Sequence, residues 1–296
     1  MSLLPGSPPG PSPAPDCSQQ DRLPAWPVPI RLLASDLDGT LLRPQAQAIE
    51  PQHLELLARW LESGGDFVAA SGRQYANLRR LFGRLADQIS YIAENGSLLY
   101  CNGRMLDWVS FPDSVAQSII ARMCQSSRQP HIVLSGVRQA YCQAGDEAIL
   151  WYMQEVVGFD IAPVPDLAAV PDQKLKISMP LSGDLSDRRV DLILADWRRQ
   201  VGESARLTYA NGWLDLIPPA ADKGRSLQIL AKHLGIALQE TAVFGDSDND
   251  CGMLSLPQVL AYAMRSARPL ALQAARGRCC SRPEIIWHQL LAARLK

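Results

Sequence analysis

The chain carries almost no net charge: 29 lysines and arginines face 30 aspartates and glutamates, a formal −1 over 296 residues. A surface without a field of one sign has little to grip nucleic acid or anionic lipid with, so neither is expected as a partner. No apolar run approaches the ~20 residues a membrane helix needs, and the N-terminus lacks a basic-then-apolar leader pattern. The expected location is cytoplasmic. Seven cysteines (Cys17, Cys101, Cys124, Cys142, Cys251, Cys279, Cys280) include no Cys-x-x-Cys pair and no zinc-like spacing with histidine. They are expected as reduced thiols, and the adjacent Cys279 and Cys280 as ordinary small residues. Internal repeats are missing too, and no protein partner is evident.

What is present is 47% hydrophobic residues, enough for one large core or two moderate ones. The first 29 residues hold nine prolines and no apolar period. They are expected to be a disordered, inert tail. From Ile30 onward short β-like runs alternate with helical stretches: a strand over 30–35, a helix over 51–63 with proline in its first turn, and a strand over 67–70. The rhythm returns with a helix near 223–234 and the strand "TAVF". That alternation implies an α/β protein with a doubly wound, Rossmann-like parallel sheet. Between the two blocks the pieces "HIVLSG", "KLKISM", "RLTYA" and "WLDLI" alternate with two long helices and proline-rich joints. The expected organisation is therefore a core of residues 30–102 and 218–296 interrupted by an inserted α/β domain over 103–217.

In open parallel sheets, ligands bind beyond the carboxyl ends of the strands. Four polar clusters fall at such ends: Asp36-x-Asp38, Ser71-Gly72-Arg73, Lys223-Gly224 and "GDSDND" from Gly245 to Asp250. Each alone has a plain reading as a turn, a helix cap or a solvated charge. Together they suit phosphoryl transfer. Asp36 can attack phosphorus and split one hard hydrolysis into two easier steps through an aspartyl phosphate. Asp36 and Asp246, with the main-chain carbonyl of Asp38, are hard oxygen donors suited to Mg²⁺. Lys223 adds a positive charge and Ser71 a hydroxyl donor for the phosphoryl oxygens, which leaves Asp38 as general acid and base. On an extended strand, Asp36 and Asp38 share a face and can converge on one point.

The stretches "DLDGTLL", "VAASGRQYANLRRLFGRL", "ISYIAENGSLLY", "DLIPPAADKG" and "VFGDSDND" resemble the haloacid dehalogenase superfamily, in particular its Cof-type branch and the bacterial SupH-like sugar phosphatases. The likeness spans about residues 30–267. It implies Asp36 as nucleophile, Asp38 as acid and base, Ser71, Gly72, Lys223 and Asn249 around the phosphate, and Asp246 on the metal. Asp250 would stand near the metal or orient Lys223, so the implied metal set is Asp36, Asp38, Asp246 and Asp250. The turn Glu94-Asn95-Gly96 would lie near substrate, and the insert would be a mobile cap. Where the family usually reads Ala-Met-Gly-Asn-Ala, this chain has Ala263-Met264-Arg265-Ser266-Ala267. That departure leaves the four clusters untouched and puts the shape of a neighbouring loop in question.

The substrate implied is a small phosphorylated metabolite, a sugar phosphate first. A nucleotide or phosphorylated cofactor, or a sugar phosphomutase reaction, stands as the alternative. Candidate substrate contacts are Arg73 and Asn95 in the core and Lys176, Tyr209, Asn211 and Trp213 in the insert, where a plain core strand would show the same alternation. A response-regulator receiver also keeps an aspartate and a lysine at strand ends, but it has no use for Asp38 and lacks an insert of this size. A catalytically silent binding protein on the same fold has little reason to keep all four clusters.

Overall fold

Every residue of Leu32–Asp36 (β1) is buried. A strand covered on both faces reads as an unbroken apolar run, as a parallel sheet between two helical layers demands. The computed structural model describes residues 21–43, 46, 48–126, 131–181, 187–210, 212–276 and 278–295. After β1 come α1 (Pro51–Glu62), β2 (Asp66–Ala70), α2 (Tyr75–Phe82) and β3 (Ser90–Ala93). Proline opens α1, where its missing N–H costs nothing, and Leu56, Leu57 and Trp60 turn inward. A hairpin follows, β4 (Leu98–Cys101) and β5 (Arg104–Trp108).

The insert contributes α3 (Asp113–Ser126), β6 (Val133–Ser135), β7 (Ala140–Gln143) and α4 (Glu147–Trp151), which runs on into a π-turn over Tyr152–Val157. It continues through β8 (Ile161–Val164), β9 (Lys176–Pro180), α5 (Asp187–Val201), β10 (Arg206–Ala210) and β11 (Trp213–Ile217). The chain then returns with α6 (Lys223–Leu234), β12 (Thr241–Gly245), α7 (Cys251–Leu254), β13 (Leu260–Met264), α8 (Pro269–Ala274), β14 (Cys279–Cys280) and α9 (Pro283–Arg294).

Two sheets result. The first has the order β14-β13-β12-β1-β2-β3-β4-β5, parallel from β14 to β3. The chain leaves β1 toward β2 and β3 on one side and later returns on its other side with β12 and β13. That reversal opens a crevice at the carboxyl ends of β1 and β12. Phe67, Phe244 and Trp287 meet edge-on at 5.4–6.0 Å and fix α9 across the sheet. The second sheet, β10-β11-β9-β6-β7-β8, has α3 and α5 over one face, where Ile119, Met123, Ile177, Trp197, Leu214 and Leu216 form the core. On its other face α4 and the π-turn pack over β6, β7 and β8, with Trp213 of β11 against the same cluster.

Two expectations need correction. The insert was expected to begin at 103, yet β5 pairs with β4 at the edge of the first sheet, so the crossing comes after Trp108. Asn102-Gly103 makes the hairpin turn, both with positive φ, at 50° and 70°. Such a dipeptide is a strong hairpin signal, here mistaken for a domain joint.

Residues 21–29, expected to belong to the disordered tail, make contacts with the core through Asp21, Arg22, Leu23 and Trp26; residues 1–20 fall outside the described set. Leu23 and Trp26 pack on the main apolar cluster. The Leu23 N–H donates to Gln289 Oε1 at 2.9 Å, Trp26 Nε1 to the Gln239 carbonyl at 2.7 Å and the Tyr262 hydroxyl to the Arg22 carbonyl at 2.8 Å. Proline spacing signals the absence of regular structure, not the absence of contacts. Cys101, Cys124, Cys142, Cys251 and Cys280 are free thiols, as expected, and Cys17 lies outside the described residues. No helix among the described residues is long and apolar enough to cross a membrane.

Deleting residues 1–27 should therefore lower the melting temperature by several degrees, because it strips these bonds and the Leu23 and Trp26 contacts. Differential scanning calorimetry of the full and shortened chains checks this; equal melting temperatures would mean the segment adds no stability.

Candidate active site

Lys223 is the first residue of α6, capped by Asp222, whose carboxylate accepts the Arg225 N–H at 3.0 Å. None of its side chain reaches solvent. The start of α6 can sit this deep because glycines let backbone approach backbone. A Cβ on Gly96 would collide with the peptide joining Asp222 to Lys223, and one on Gly224 with Gly252.

Lys223 Nζ donates to Asp36 Oδ1 and to Asp250 Oδ1, each at 2.7 Å. The second oxygen of Asp250 accepts the backbone N–H groups of Asp246 and Ser247 at 2.9 and 3.0 Å, so Asp250 is fully used as a strut for the loop after β12. Burial alone would lower the Lys223 pKa, but the charges of Asp250 and Asp36 outweigh it and raise it above the ordinary lysine value.

Asp36 Oδ2 and Asp246 Oδ1 remain buried without any hydrogen-bond partner. Oxygens of Asp36, Asp246 and Asp250 lie within 4.8 Å of one another. Three carboxylates against one ammonium leave the cluster short of positive charge. Desolvation, then Asp250, pushes the Asp36 carboxyl well above the usual range, and the same causes lift Asp246 to about 6. Gly39, at φ 88°, is the near wall: a Cβ there would strike the Asp246 carboxylate. Unpartnered hard oxygens in a crowded, negatively charged nook fit a small divalent cation held by Asp36 and Asp246.

Asp38 reaches this neighbourhood by a different route from the one expected. β1 stops at Asp36, and residues 37–42 fold into a tight turn closed by the N–H groups of Leu42 and Gly39, to the Leu37 and Leu42 carbonyls at 2.7 and 2.9 Å. Strand pleating therefore does not align the two acids. The Asp38 carboxylate lies outside the acidic cluster and is gripped by Arg73, from Nε at 2.8 Å and from Nη2 at 2.6 Å. As a cation ligand, Asp38 has only its carbonyl left to offer. Arg73 also donates to Asn77 Oδ1 at 3.2 Å.

Ser71 follows β2, and its hydroxyl accepts the Arg73 N–H at 3.2 Å. Gly72 lies so close to Asn95 that a Cβ would meet the amide oxygen at 2.8 Å. Glu94, Asn95 and Gly96 all have positive φ, at 51°, 58° and 92°. Two successive left-handed non-glycine residues store strain that the surroundings must hold in place. Asn249 Nδ2 donates to Asn95 Oδ1 at 3.0 Å and Asn95 Nδ2 to Asp215 Oδ2 at 3.1 Å, linking the loop after β12 to the second sheet.

Of the residues expected from the insert, Lys176 arrives most deeply. It is buried, donates to the Gly72 carbonyl at 2.7 Å and pairs with Glu94 at 2.8 Å and with Asp215 at 3.7 Å. Burial raises the Glu94 pKa; for Lys176, Asp215 and Glu94 outweigh burial and raise it too. Trp213 lies on the core-facing side of β11, beside Tyr152. Tyr209 does not come to the site: it packs into the apolar layer on the opposite face. Asn211 lies outside the described residues. Asp215 and Ser178, joined at 2.6 Å, were missed. Their signal was in the sequence, an acid between Leu214 and Leu216 and a serine between Ile177 and Met179. The atypical Arg265 turns from the cluster toward Asp21 at 3.7 Å, while the Arg268 N–H holds the Asp246 carbonyl at 2.8 Å.

This geometry has relatives. The family model for haloacid dehalogenase-like hydrolases matches residues 33–282. A 5-amino-6-(5-phospho-D-ribitylamino)uracil phosphatase of Escherichia coli K12 is 27% identical over 256 residues, 85% of this chain and 91% of the relative. An HMP-PP phosphatase of Cronobacter sakazakii is 30% identical over 230 residues, 76% of this chain and 81% of the relative. A HAD/COF-like hydrolase from Plasmodium vivax shares the fold, with a TM-score of 0.76 at 18% identity, over 90% of this chain and 96% of that one. Cluster, sheet order and relatives agree: the chain belongs to the haloacid dehalogenase-like hydrolases, as a Cof-type phosphoric monoester hydrolase.

Proposed function

We propose that the chain is a Mg²⁺-dependent phosphatase of small phosphorylated metabolites, sugar phosphates among them, working in the cytoplasm through an aspartyl phosphate on Asp36. The observation that carries this is the pair of buried, unpartnered oxygens, Asp36 Oδ2 and Asp246 Oδ1, beside a lysine already committed to Asp36 and Asp250. That the E. coli and C. sakazakii relatives are phosphatases supports it.

Each side chain then has one task. Asp36 attacks phosphorus along the line of the departing oxygen. Lys223 stays ionised, held so by its two carboxylates, and neutralises charge on the phosphoryl oxygens. Ser71 donates its hydroxyl to the same oxygens, and Asn249 stands near through Asn95. Asp36, Asp246 and the Asp38 carbonyl would hold a Mg²⁺ ion, which would supply the remaining positive charge that lets an anion approach an anion. Arriving phosphate competes for Arg73 and so frees Asp38 from its two bonds. Asp38 then takes up a proton from solvent and passes it to the leaving alkoxide, and the resulting carboxylate afterwards takes a proton from the water that hydrolyses the acyl phosphate.

Asp36→Asn should keep the circular dichroism spectrum of the wild type and lose at least 99% of phosphate release, because the isosteric amide neither attacks nor carries charge. Retention of a tenth of the activity would remove Asp36 as nucleophile.

Asp38→Ala separates the two steps. Its first step on a sugar phosphate should slow by about 10²- to 10⁴-fold, the usual yield of general acid catalysis. An aryl ester such as p-nitrophenyl phosphate needs no proton on its leaving group, so the variant should give a burst of phenolate followed by a slow steady state. Rapid quench on both esters reads this; equal slowing of the two first steps contradicts the assignment of Asp38 as acid.

A further inference from the structure

The core-facing side of the second sheet carries a pattern that phosphate chemistry does not use. In β9 and β11 the registered pairs are Asp215 with Ser178 and Trp213 with Pro180, and in β10 Thr208 pairs with Asp215. Residues two apart on a strand share a face, so Ser178, Asp215 and Thr208 form one cross-strand row. Trp213 and Pro180 form the next row, about 7 Å along at 3.3–3.4 Å per residue.

The first row borders the catalytic core, because Asp215 accepts from Asn95, and Asn95 from Asn249. The second row lies one step farther along β11 from that contact. Trp213 packs at the margin of the cover that α4 and the π-turn provide, its ring nearly parallel to Tyr152, with centroids 6.3 Å apart and planes 22° from each other. Trp213 packs against the apolar cluster beneath α4 and the π-turn but stays only partly buried, and Tyr152 is 38% exposed, so both rings keep accessible surface.

This wall is also pinned to the phosphate loop. The chain leaving the π-turn docks on α2, where Gln74 Nε2 donates to the Asp160 carbonyl, the Asp160 N–H returns to Gln74 Oε1, and Asn77 Nδ2 donates to the Val157 carbonyl, each at 2.8 Å. Gln74 directly follows Ser71-Gly72-Arg73. The element that carries Tyr152 is thus tied to the residue next to the phosphate-facing cluster, which fixes the spacing between aromatic wall and reacting phosphate.

We propose that Trp213, backed by Tyr152, is the stacking wall for a planar heterocyclic ring borne by the phosphorylated substrate. Ser178, Asp215 and Thr208 then contact the hydroxyl-bearing span between phosphate and ring. Asp215 accepts from Asn95 at Oδ2, which also faces Lys176 at 3.7 Å, and from Ser178 at Oδ1, which keeps a lone pair for a ligand hydroxyl. The preferred substrate class is a ring-bearing phosphate monoester rather than a bare sugar phosphate. The proposal rests on reading the neighbouring cluster as a phosphatase site.

The test uses matched esters that differ only in the ring, uridine and adenosine 5′-phosphates against ribose 5-phosphate. Binding is measured by calorimetry to the full chain bearing Asp36→Asn, so that no ligand is consumed. A stacked base should tighten binding about tenfold relative to ribose 5-phosphate. Adding Trp213→Leu should bring that ratio to about one, and Trp213→Phe should keep most of it. If Trp213→Leu does not fold, Tyr152→Leu, on a different element, is expected to reduce the ratio in the same direction. A ratio near one in the parent, binding of none of the three esters, or equal weakening of all three by Trp213→Leu overturns the proposal. Phosphate release by the wild-type chain is followed separately. Ring-selective binding without any release would count against the phosphatase reading and leave the stacking wall standing.

Discussion

Lys223, without any solvent contact, is held 2.7 Å from a carboxylate on either side, and most of the architecture serves that arrangement. An ammonium so buried is tolerable only with partners that return the lost hydration, and losing either partner strands a charge. The requirement reaches outward. The start of α6 must sit against the Glu94-Asn95-Gly96 turn and against Gly252, which is why side chains are missing at Gly96, Gly224 and Gly252. Asp250 must face inward, so its other oxygen organises the loop that carries Asp246. What remains after those bonds is one free oxygen on Asp36 and one on Asp246, an anionic gap aimed at the strand ends.

The same device recurs one layer up. Lys176 is buried between Glu94 and Asp215, with the Gly72 carbonyl as its third neighbour. A lysine of the insert thereby senses the backbone beside Ser71 and the strained turn that supports α6. The two buried lysines link the insert and the first sheet through the Glu94-Asn95-Gly96 turn, whose left-handed residues persist because both sides hold them.

The clusters and the strand ends that gather them were legible because both follow from rules that act locally: apolar runs make buried strands, and polar residues just after them face the crevice. Asp36, Lys223, Asp246 and Asp250 accordingly lie together, with Ser71 at the end of the neighbouring strand and Asn249 joined to Asn95. Asp38 was placed by the wrong geometry, since a sequence does not say at which residue a strand yields to a turn. Tyr209 and Asp215 show the limit of alternation in a mixed sheet. A tyrosine and an aspartate alternate equally well with apolar neighbours, and only the packing of α3 and α5 decides which face becomes the inner one. The docked segment 21–29 was illegible for another reason: its bonds go to residues more than two hundred positions away.

The central claim is that the anionic gap between Asp36 and Asp246 is a divalent-cation site, with Lys223 as a fixed counter-charge that cannot replace the ion. Thermal unfolding as a function of Mg²⁺ concentration tests this without reference to turnover. A ligand bound only by the folded chain stabilises it by about 2.7 kcal/mol at one hundred times its dissociation constant. The melting temperature of the wild type should therefore climb with the logarithm of Mg²⁺ concentration, and that of Asp246→Asn should stay flat over the same range. A wild-type melting temperature indifferent to Mg²⁺, or an equal climb in Asp246→Asn, would contradict the account.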